Sequence, residues 1–353
     1  MRINIMTSCD NNLAMYILVQ LASIQSNLEK YDVHFYLLHS RVSPENINML
    51  NAFTQNCSAI TFHEIMVKDT KPYEILASYG GSWPFETYFS LGSEHHLPQD
   101  VDRILYIDAG DVVVHNDISE FYFANFEDKS IIAATAWVQH SGELMTDMEA
   151  HSTRITKGMM SSGAYVMNMD KIRGENTPVQ GYVGLAEGLL RAYPNRKPAY
   201  YGDQGLVSYV FLGKIKLIAD TEFKRNENYK MVSSKYHVCS EFVLLDPNYP
   251  FQQAAMLHFG GPVLKPWNAW FKPEVVKEYG DNFSEKYYKN MKDYAPFNMN
   301  WRQCQMAEIW WHYCTKTPVF TNLAMYGRAT GAALENFYLP LCKRFNDMVD
   351  ANK

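Results

Sequence analysis

The chain has 353 residues, of which 47% are hydrophobic, and its 32 lysines and arginines against 38 aspartates and glutamates give a formal net charge of −6. This composition predicts a well-buried core, in one large α/β domain or two domains, and the acidic balance argues against nucleic-acid binding. No apolar run approaches the roughly 20 residues of a membrane-spanning helix, and the N-terminus is too quickly polar for a signal peptide. We therefore expect a soluble cytoplasmic chain.

The cysteine pattern also indicates a cytoplasmic protein. Six of them are scattered along the chain, with no CxxC pair and no Cys/His cluster at zinc spacing. Without a secretory signal, they are expected to be reduced thiols.

The first 60 residues alternate between strand and helix patterns. Residues 3–6 read as a buried strand, 8–12 as a polar turn that caps a helix, and 13–28 as that helix, with apolar residues at helical spacing. A second strand follows at 33–38, and Ser43-Pro44-Glu45 opens another helix with proline at its first position. This succession predicts the start of a parallel α/β sheet.

Such a beginning usually binds a nucleotide at the carboxyl ends of the strands. The first turn contains no G-x-G-x-x-G, however, and no P-loop occurs in the chain. The turn offers Asp10, Asn11 and Asn12, which suit a base or ribose better than a pyrophosphate. We therefore expect a metal ion to hold the phosphates.

Two carboxylates follow an apolar strand in the segment 103–114. Asp108 stands at the end of the strand, Ala109 and Gly110 follow, and Asp111 precedes a second apolar run. Carboxylates so spaced can converge on one hard cation, although Asp and Gly are also common in ordinary turns. This segment alone leaves both interpretations open.

A histidine and a lysine follow another apolar strand. His258 is followed by Gly260-Gly261 and then by Lys265. One imidazole with two carboxylates suits Mn²⁺ or Mg²⁺, and a lysine would neutralise a diphosphate. A lone histidine is more often a half-buried residue at the edge of a loop, and both interpretations remain open.

Two further segments are less distinctive. Asp203-Gln204 opens an apolar helix, where Asp203 is either an N-cap or a site residue, and 160–168 is a small-residue turn that leads into a strand. Beyond about residue 280 the chain becomes richer in aromatic residues and slightly basic. We predict a helical C-terminal appendage over 281–353. Its aromatic residues are expected to pack in the core, with a weak role at a membrane interface as the alternative.

The order of these segments resembles glycosyltransferase family 8, whose members are retaining, metal-dependent transferases that use UDP-sugars. The resemblance covers about residues 1–280 and implies an α/β, Rossmann-like nucleotide-sugar transferase fold of the GT-A type. It also implies roles for particular residues. The family's uridine motif falls on Ser8, Asp10 and Asn12, and its Mn²⁺ ligands fall on Asp108, Asp111 and His258. The family's diphosphate contacts correspond to Gly261 and Lys265, and the residues beside the reacting sugar correspond to Asp203 and Gln204.

The chain departs from the family pattern in three places. The usual Asp-x-Asp is one residue longer here, as Asp-Ala-Gly-Asp over 108–111. Ser90 stands where the family has an arginine that contacts the donor, and Ser161-Ser162-Gly163 replaces Asn-Ala-Gly. These differences predict a divergent subgroup with an altered donor or acceptor preference.

The resemblance therefore implies transfer of a hexose from UDP-glucose or UDP-galactose to a glycan or lipid-linked glycan, such as bacterial lipopolysaccharide. Acceptor contacts are expected from the loop 137–142 and from the C-terminal region, with peripheral contact at the inner face of the membrane.

The candidate residues favour a transferase over a hydrolase. A bound cation stabilises a departing diphosphate, whereas a glycosidase needs a carboxylic acid to protonate its leaving group. The alternatives are a UDP-sugar-binding protein without activity and a metal-dependent phosphohydrolase using Asp108 and Asp111.

Overall fold

The structure, a computed structural model, describes residues 1–80, 84–139, 160–192, 202–224, 229–240, 243, 250–260, 265–266 and 301–320. The strands are β1 (Arg2–Ser8), β2 (Asp32–His39), β3 (Ile60–Met66), β4 (Arg103–Ile107), β5 (Val112–Val114), β6 (Ile131–Ala133), β7 (Ala136–Gln139), β8 (Ala164–Asn168), β9 (Ile215–Leu217), β10 (Thr221–Lys224), β11 (Tyr229–Ser233), β12 (His237–Cys239) and β13 (Met256–His258). The α-helices are α1 (Ile17–Asn27), α2 (Pro44–Thr54), α3 (Lys71–Gly80), α4 (Ser119–Tyr122), α5 (Met169–Glu175), α6 (Val179–Ala192), α7 (Gly202–Val210) and α8 (Trp301–Cys314).

The main sheet has the strand order β3-β2-β1-β4-β8-β6-β9 among the described residues. Strands β3, β2, β1 and β4 are parallel, as the opening alternation predicts, and β8 runs antiparallel to both its neighbours. Because parallel strands end at the same edge, the turn after β1 and the segment after β4 lie side by side. Two smaller sheets in the described part of the chain have the orders β10-β11-β7 and β12-β13-β5.

The main sheet is buried on both faces. Ile3 and Ile5 of β1 belong to one hydrophobic cluster with α1, whereas Met6 belongs to a second cluster on the opposite face. Strand β4 alternates in the same way, with Leu105 in the first cluster and Tyr106 in the second. This period-2 alternation fixes the register of the strands. The register in turn determines where the last residue of each strand lies at the edge of the sheet.

The predicted helix at 13–28 begins later than its apolar spacing indicates. A 3₁₀ turn spans Ala14–Tyr16, and α1 starts only at Ile17. Asp10 is the reason, because its Oδ1 accepts the backbone N–H groups of Asn12 and Leu13 and so holds the preceding turn. Helix α2, by contrast, begins at Pro44 as predicted, capped by the Ser43 hydroxyl.

The described part of the C-terminal segment packs against the core. Trp310 and Trp311 of α8 are fully buried, and the Tyr313 hydroxyl accepts a hydrogen bond from the Asn27 side chain of α1 at 2.9 Å. These aromatics therefore pack internally, while the domain boundary at residue 280 stays a prediction. Within the described ranges, no helix combines the length and the apolar character needed to cross a bilayer.

Candidate functional site

The segment between β4 and β5 forms a tight turn that presents Asp108 and Asp111. Gly110 has a φ of 71°, in the left-handed region that glycine adopts without strain. The Trp310 indole donates to the Gly110 carbonyl at 3.0 Å, and the Asp108 N–H donates to the Gly163 carbonyl at 3.0 Å. Hydrogen bonds from two sides therefore hold the backbone of the turn, so that its carboxylates are positioned in advance.

Gln20 fastens the same turn from α1. Its buried Nε2 donates to the carbonyls of Asp108 at 2.8 Å and Val112 at 2.9 Å. We expect Gln20→Leu to lower the free energy of unfolding by about 2 kcal/mol, because two buried carbonyls would lose their donor. Urea unfolding measures the change. Gln25→Leu on the same helix is the control, since its Nε2 donates to the exposed Ser58 hydroxyl and its Oε1 accepts the part-buried Ala59 N–H, so a smaller loss is expected. An equal loss in both variants would contradict the prediction.

His258 completes a group with the two carboxylates. It ends β13, which pairs antiparallel with β5 so that His258 lies opposite Val112. Its Nε2 is 3.5 Å from Asp108 Oδ2, and the ligand atoms of Asp108, Asp111 and His258 all lie within 4.8 Å of one another. Burial alone would lower the pKa of His258, but Cys239 and Asp108 outweigh burial and raise that pKa to about 10. A cation bound at Nε2 would therefore have to displace a proton.

Two glycines make room for the His258 ring. A Cβ atom on Gly163 would lie 2.0 Å from its Cε1, and a Cβ on Gly260 would lie 2.5 Å from its Cε1 and Nε2. Real Cβ atoms do not approach other atoms so closely. The ring is therefore held between two backbone segments that only glycine allows.

Lys265 lies beside this group. Its ammonium contacts the Asp111 carboxylate and donates to the Phe259 carbonyl at 2.9 Å. Burial raises the pKa of Asp111, against the opposing effect of Lys265 and His258. The other carboxylate oxygen, Asp111 Oδ1, is buried without a hydrogen-bond partner. Two carboxylates and an imidazole, with one acceptor left open, are a donor set that fits Mn²⁺ or Mg²⁺.

Asp203 and Gln204 lie near the same group at the start of α7. Gln204 Oε1 accepts the Ser162 N–H at 3.3 Å, which ties α7 to the turn before β8. The Asp203 side chain is buried, and burial together with repulsion from Asp108 raises its pKa to about 7. The structure thus brings a third carboxyl group to the site, close enough for the two charges to oppose each other.

This raised pKa predicts how stability depends on pH. The folded protein holds the Asp203 proton up to about pH 7, whereas the unfolded chain releases it near pH 4, so stability falls as the pH rises through this window. Asp203→Asn removes the titration. In metal-free protein, the stability of the variant relative to wild type should therefore increase by a few kcal/mol between pH 4 and pH 8. Urea unfolding at both pH values measures this, and a constant difference would contradict the prediction.

The turn after β1 holds the three residues expected at the uridine. Ser8 is buried at the end of β1, Asp10 is partly exposed and Asn12 is exposed. Both Asp10 carboxylate oxygens accept hydrogen bonds within the turn, including one from the Asn12 side chain at 2.9 Å. The turn is thus rigid, and its contact with uridine stays a prediction. Gly261 lies outside the described residues, as do 140–142 of the expected acceptor loop.

A second group of potential ligands, not predicted from the sequence, lies on the Nδ1 side of His258. His237 Nε2 lies 3.2 Å from His258 Nδ1, and Cys239 Sγ lies 3.5 Å from that atom and 3.8 Å from His237 Nε2. The sequence contains no Cys/His cluster at zinc spacing, yet the fold brings these three side chains together. His237 and Cys239 are two apart on β12 and share a face, and Cys239 pairs with His258 in the parallel β12–β13 register. Only a prediction of that strand pairing would have revealed the cluster.

Comparison with protein families and curated proteins gives consistent matches. The family described as Glycosyl transferase family 8 matches residues 4–271. The chain is 21% identical over 297 residues to a lipopolysaccharide 1,2-glucosyltransferase of Escherichia coli, which covers 83% of this chain and 79% of the relative. It is 22% identical over 197 residues to a lipopolysaccharide 1,3-galactosyltransferase of Salmonella typhimurium, covering 54% of this chain and 51% of the relative.

Solved structures agree on the fold. The galactosyltransferase LgtC, in complex with donor and acceptor sugar analogs, superposes with a TM-score of 0.54 at 18% identity, covering 80% of this chain and 94% of LgtC. The bifunctional glycosyltransferase WbbM superposes with a TM-score of 0.52 at 16% identity, covering 80% of this chain and 49% of WbbM. These likenesses confirm the predicted α/β fold of the GT-A type.

Proposed function

The chain belongs to glycosyltransferase family 8, and on that basis we propose that it transfers a hexose from UDP-glucose or UDP-galactose to a glycan acceptor, with retention of configuration. The observation that carries this proposal is the group of Asp108, Asp111 and His258 at the carboxyl edge of the sheet. A nucleotide-sugar transferase must stabilise a departing diphosphate, and this group lies beside the turn proposed to hold uridine.

Asp108, Asp111 and His258 would hold Mn²⁺ or Mg²⁺. When bound, the cation supplies positive charge that stabilises the diphosphate as it leaves. Lys265 adds a second positive charge at the same place, and its present contact with Asp111 keeps it within the site. Ser8, Asp10 and Asn12 would orient the uridine, and Gly261 would allow the backbone to approach the diphosphate.

Asp203 and Gln204 are proposed to position the reacting sugar. Gln204 is held by the Ser162 N–H, and Asp203 is buried near Asp108. We expect Asp203→Asn to lower turnover about 10-fold to 100-fold, the effect of losing orientation rather than an attacking group. Initial rates measure this. Nearly full turnover would exclude attack on the sugar by the Asp203 carboxylate, and a loss of all turnover would contradict a role in orientation alone.

The acceptor is proposed to be a bacterial lipopolysaccharide or another surface glycan. The support is the pair of lipopolysaccharide glycosyltransferases among the relatives, whose names give glucosyl and galactosyl transfer. Such an acceptor is assembled at the cytoplasmic face of the membrane. We accordingly propose a cytoplasmic protein that contacts this face peripherally through its C-terminal region.

Release of UDP from a panel of UDP-sugars, with and without Mn²⁺, tests the proposal without knowledge of the acceptor. Transferases of this kind slowly hydrolyse their donor in water, so Mn²⁺-dependent UDP release from UDP-glucose or UDP-galactose is expected. UDP binding without turnover, persisting when candidate glycan acceptors are added, would indicate a binding protein. Hydrolysis of simple phosphomonoesters in place of UDP-sugars would indicate a phosphohydrolase.

A further inference from the structure

A second compact group of three potential metal ligands consists of His237, Cys239 and His258, and it shares His258 with the carboxylate group. All three side chains are at least nine-tenths buried, with exposures of 0%, 6% and 6%. The three nearest ligand atoms are His237 Nε2, Cys239 Sγ and His258 Nδ1. None of them is a carboxylate oxygen, so this group differs in chemistry from the site described above.

The spacing of these atoms matches one face of a tetrahedral zinc site. Zn–N bonds of about 2.0–2.1 Å and a Zn–S bond of about 2.3 Å at tetrahedral angles require an N···N distance of about 3.3 Å and an N···S distance of about 3.6 Å. The structure gives 3.2 Å between the nitrogens, and 3.5 and 3.8 Å from the sulfur to each nitrogen. The Ser161 hydroxyl lies 3.9 Å from Cys239 Sγ. It could supply a fourth ligand, or hydrogen-bond a water molecule that serves as the fourth ligand.

We infer that His237, Cys239 and His258 form a second metal site, for Zn²⁺ or a similar thiolate-binding ion, and that occupying it antagonises cation binding at Asp108 and Asp111. The chemistry favours this ion because thiolate with imidazole selects zinc-class metals, whereas Mn²⁺ and Mg²⁺ prefer oxygen. Binding converts the Cys239 thiol to thiolate, and its proton passes to the solvent.

The antagonism follows from sharing His258. A neutral imidazole has one nitrogen with a free lone pair and one that carries a proton. An ion on Nδ1 leaves the proton on Nε2, the nitrogen that faces Asp108. The carboxylate site then loses its only nitrogen ligand while both aspartates remain in place. Zinc would thus act as an inhibitor at a position distinct from the donor's own cation.

Cobalt(II) tests the site directly, because thiolate-bound Co²⁺ shows a charge-transfer absorption that oxygen- and nitrogen-bound Co²⁺ lacks. The metal-free, reduced full-length protein is titrated with Co²⁺ alone. We expect one equivalent with this absorption, displaced by Zn²⁺, and its loss in Cys239→Ser. Cys57→Ser is the matched control, because that thiol hydrogen-bonds the Phe53 carbonyl of α2 and belongs to neither group of potential metal ligands among the described residues. Asp111→Asn should also keep the absorption, since Asp111 is not a ligand of this site.

Two further measurements complete the test. X-ray absorption of the zinc-loaded wild type should show one sulfur at about 2.3 Å and nitrogen at about 2.0–2.1 Å, whether or not any variant folds. Free Mn²⁺, measured by electron paramagnetic resonance, should show at least about a tenfold weaker Mn²⁺ affinity with one equivalent of Zn²⁺ present. This weakening should disappear in Cys239→Ser.

Bound cobalt without thiolate absorption, or a sulfur-free zinc shell, would overturn the site. An Mn²⁺ affinity that zinc leaves unchanged would overturn the antagonism. These readouts do not depend on sugar transfer. A protein that binds cobalt through thiolate but never binds Mn²⁺ would contradict the proposed function and leave the second site standing.

Discussion

Gly163→Ala is expected to lower Mn²⁺-dependent UDP-sugar turnover about 100-fold or more. The added Cβ would lie 2.0 Å from Cε1 of His258, 2.4 Å from Nδ1 and 2.6 Å from Nε2, so the ring would have to leave its place. Gly163 cannot retreat, because its carbonyl accepts the Asp108 N–H, and Gly260 closes the other side of the ring. Misplacing one ligand by this much removes its contribution to the cation site.

The substitution is informative because it changes no charged or ligating group. Gly163 does not have a left-handed backbone, so alanine adds a steric effect only. Initial rates of UDP release and Mn²⁺ affinity are measured together. Gly184→Ala is the control, since a Cβ there meets nothing within 4 Å and alanine is favourable in a helix such as α6. Wild-type turnover and Mn²⁺ affinity in Gly163→Ala would show that His258 takes no part.

Asp111→Asn is expected to lower turnover about 1,000-fold, the loss of several kcal/mol of charge stabilisation at the diphosphate. The asparagine keeps the shape of the side chain but removes the negative charge that faces Lys265 and the cation. Lys265 would then lie half-buried beside a neutral group. Mn²⁺ affinity should fall with the rate, which separates a loss of metal from a local distortion.

Asp117→Asn is the matched control for this charge. Asp117 lies near the far end of β5, and its carboxylate pairs with exposed Lys30 at 2.7 Å. The same carboxylate also accepts hydrogen bonds from the Tyr31 hydroxyl and the Ser119 N–H. These partners lie outside the group of Asp108, Asp111 and His258, so this variant should keep turnover within about twofold of wild type. Equal losses in the two variants would indicate a general effect of charge rather than a role of Asp111 in the site.

The parallel sheet and the ends of its strands were predictable from local pattern. Alternating apolar strands and helices, with Ser43-Pro44 opening α2, predict β1, α1, β2 and α2 because each element's signal lies within its own residues. The start of α1 was not predictable in this way. The Asp10 side chain competes for the backbone N–H groups that helical spacing would assign to the helix.

The candidate site was predictable in part. Asp108 and Asp111 lie between two apolar runs and His258 lies at the end of another, and the order of the motifs predicts one group, although Asp111 and His258 are 147 positions apart in the chain. The role of Gln20 and the space left by Gly163 depend on contacts between distant elements. Local patterning does not encode such contacts, so a buried glutamine in a helix and one glycine in a turn carry no signal of their own.

The pairing of Lys265 with Asp111 was likewise not predictable. The sequence predicts that Lys265 lies near a diphosphate, and the structure places its ammonium against a carboxylate of the proposed cation site. Both placements put positive charge at the same position. A lysine that neutralises Asp111 before donor binding keeps a buried carboxylate from standing unpaired, which is costly in a low dielectric.

Calorimetric titration of wild-type protein with UDP, once with Mn²⁺ and once with a chelator, measures directly whether UDP binding depends on the metal. If Asp108, Asp111 and His258 hold a cation that engages the diphosphate, UDP binds in the presence of Mn²⁺, and its affinity falls at least about 100-fold when the metal is removed. Equal UDP affinity with and without metal, or no UDP binding in either case, would contradict the claim.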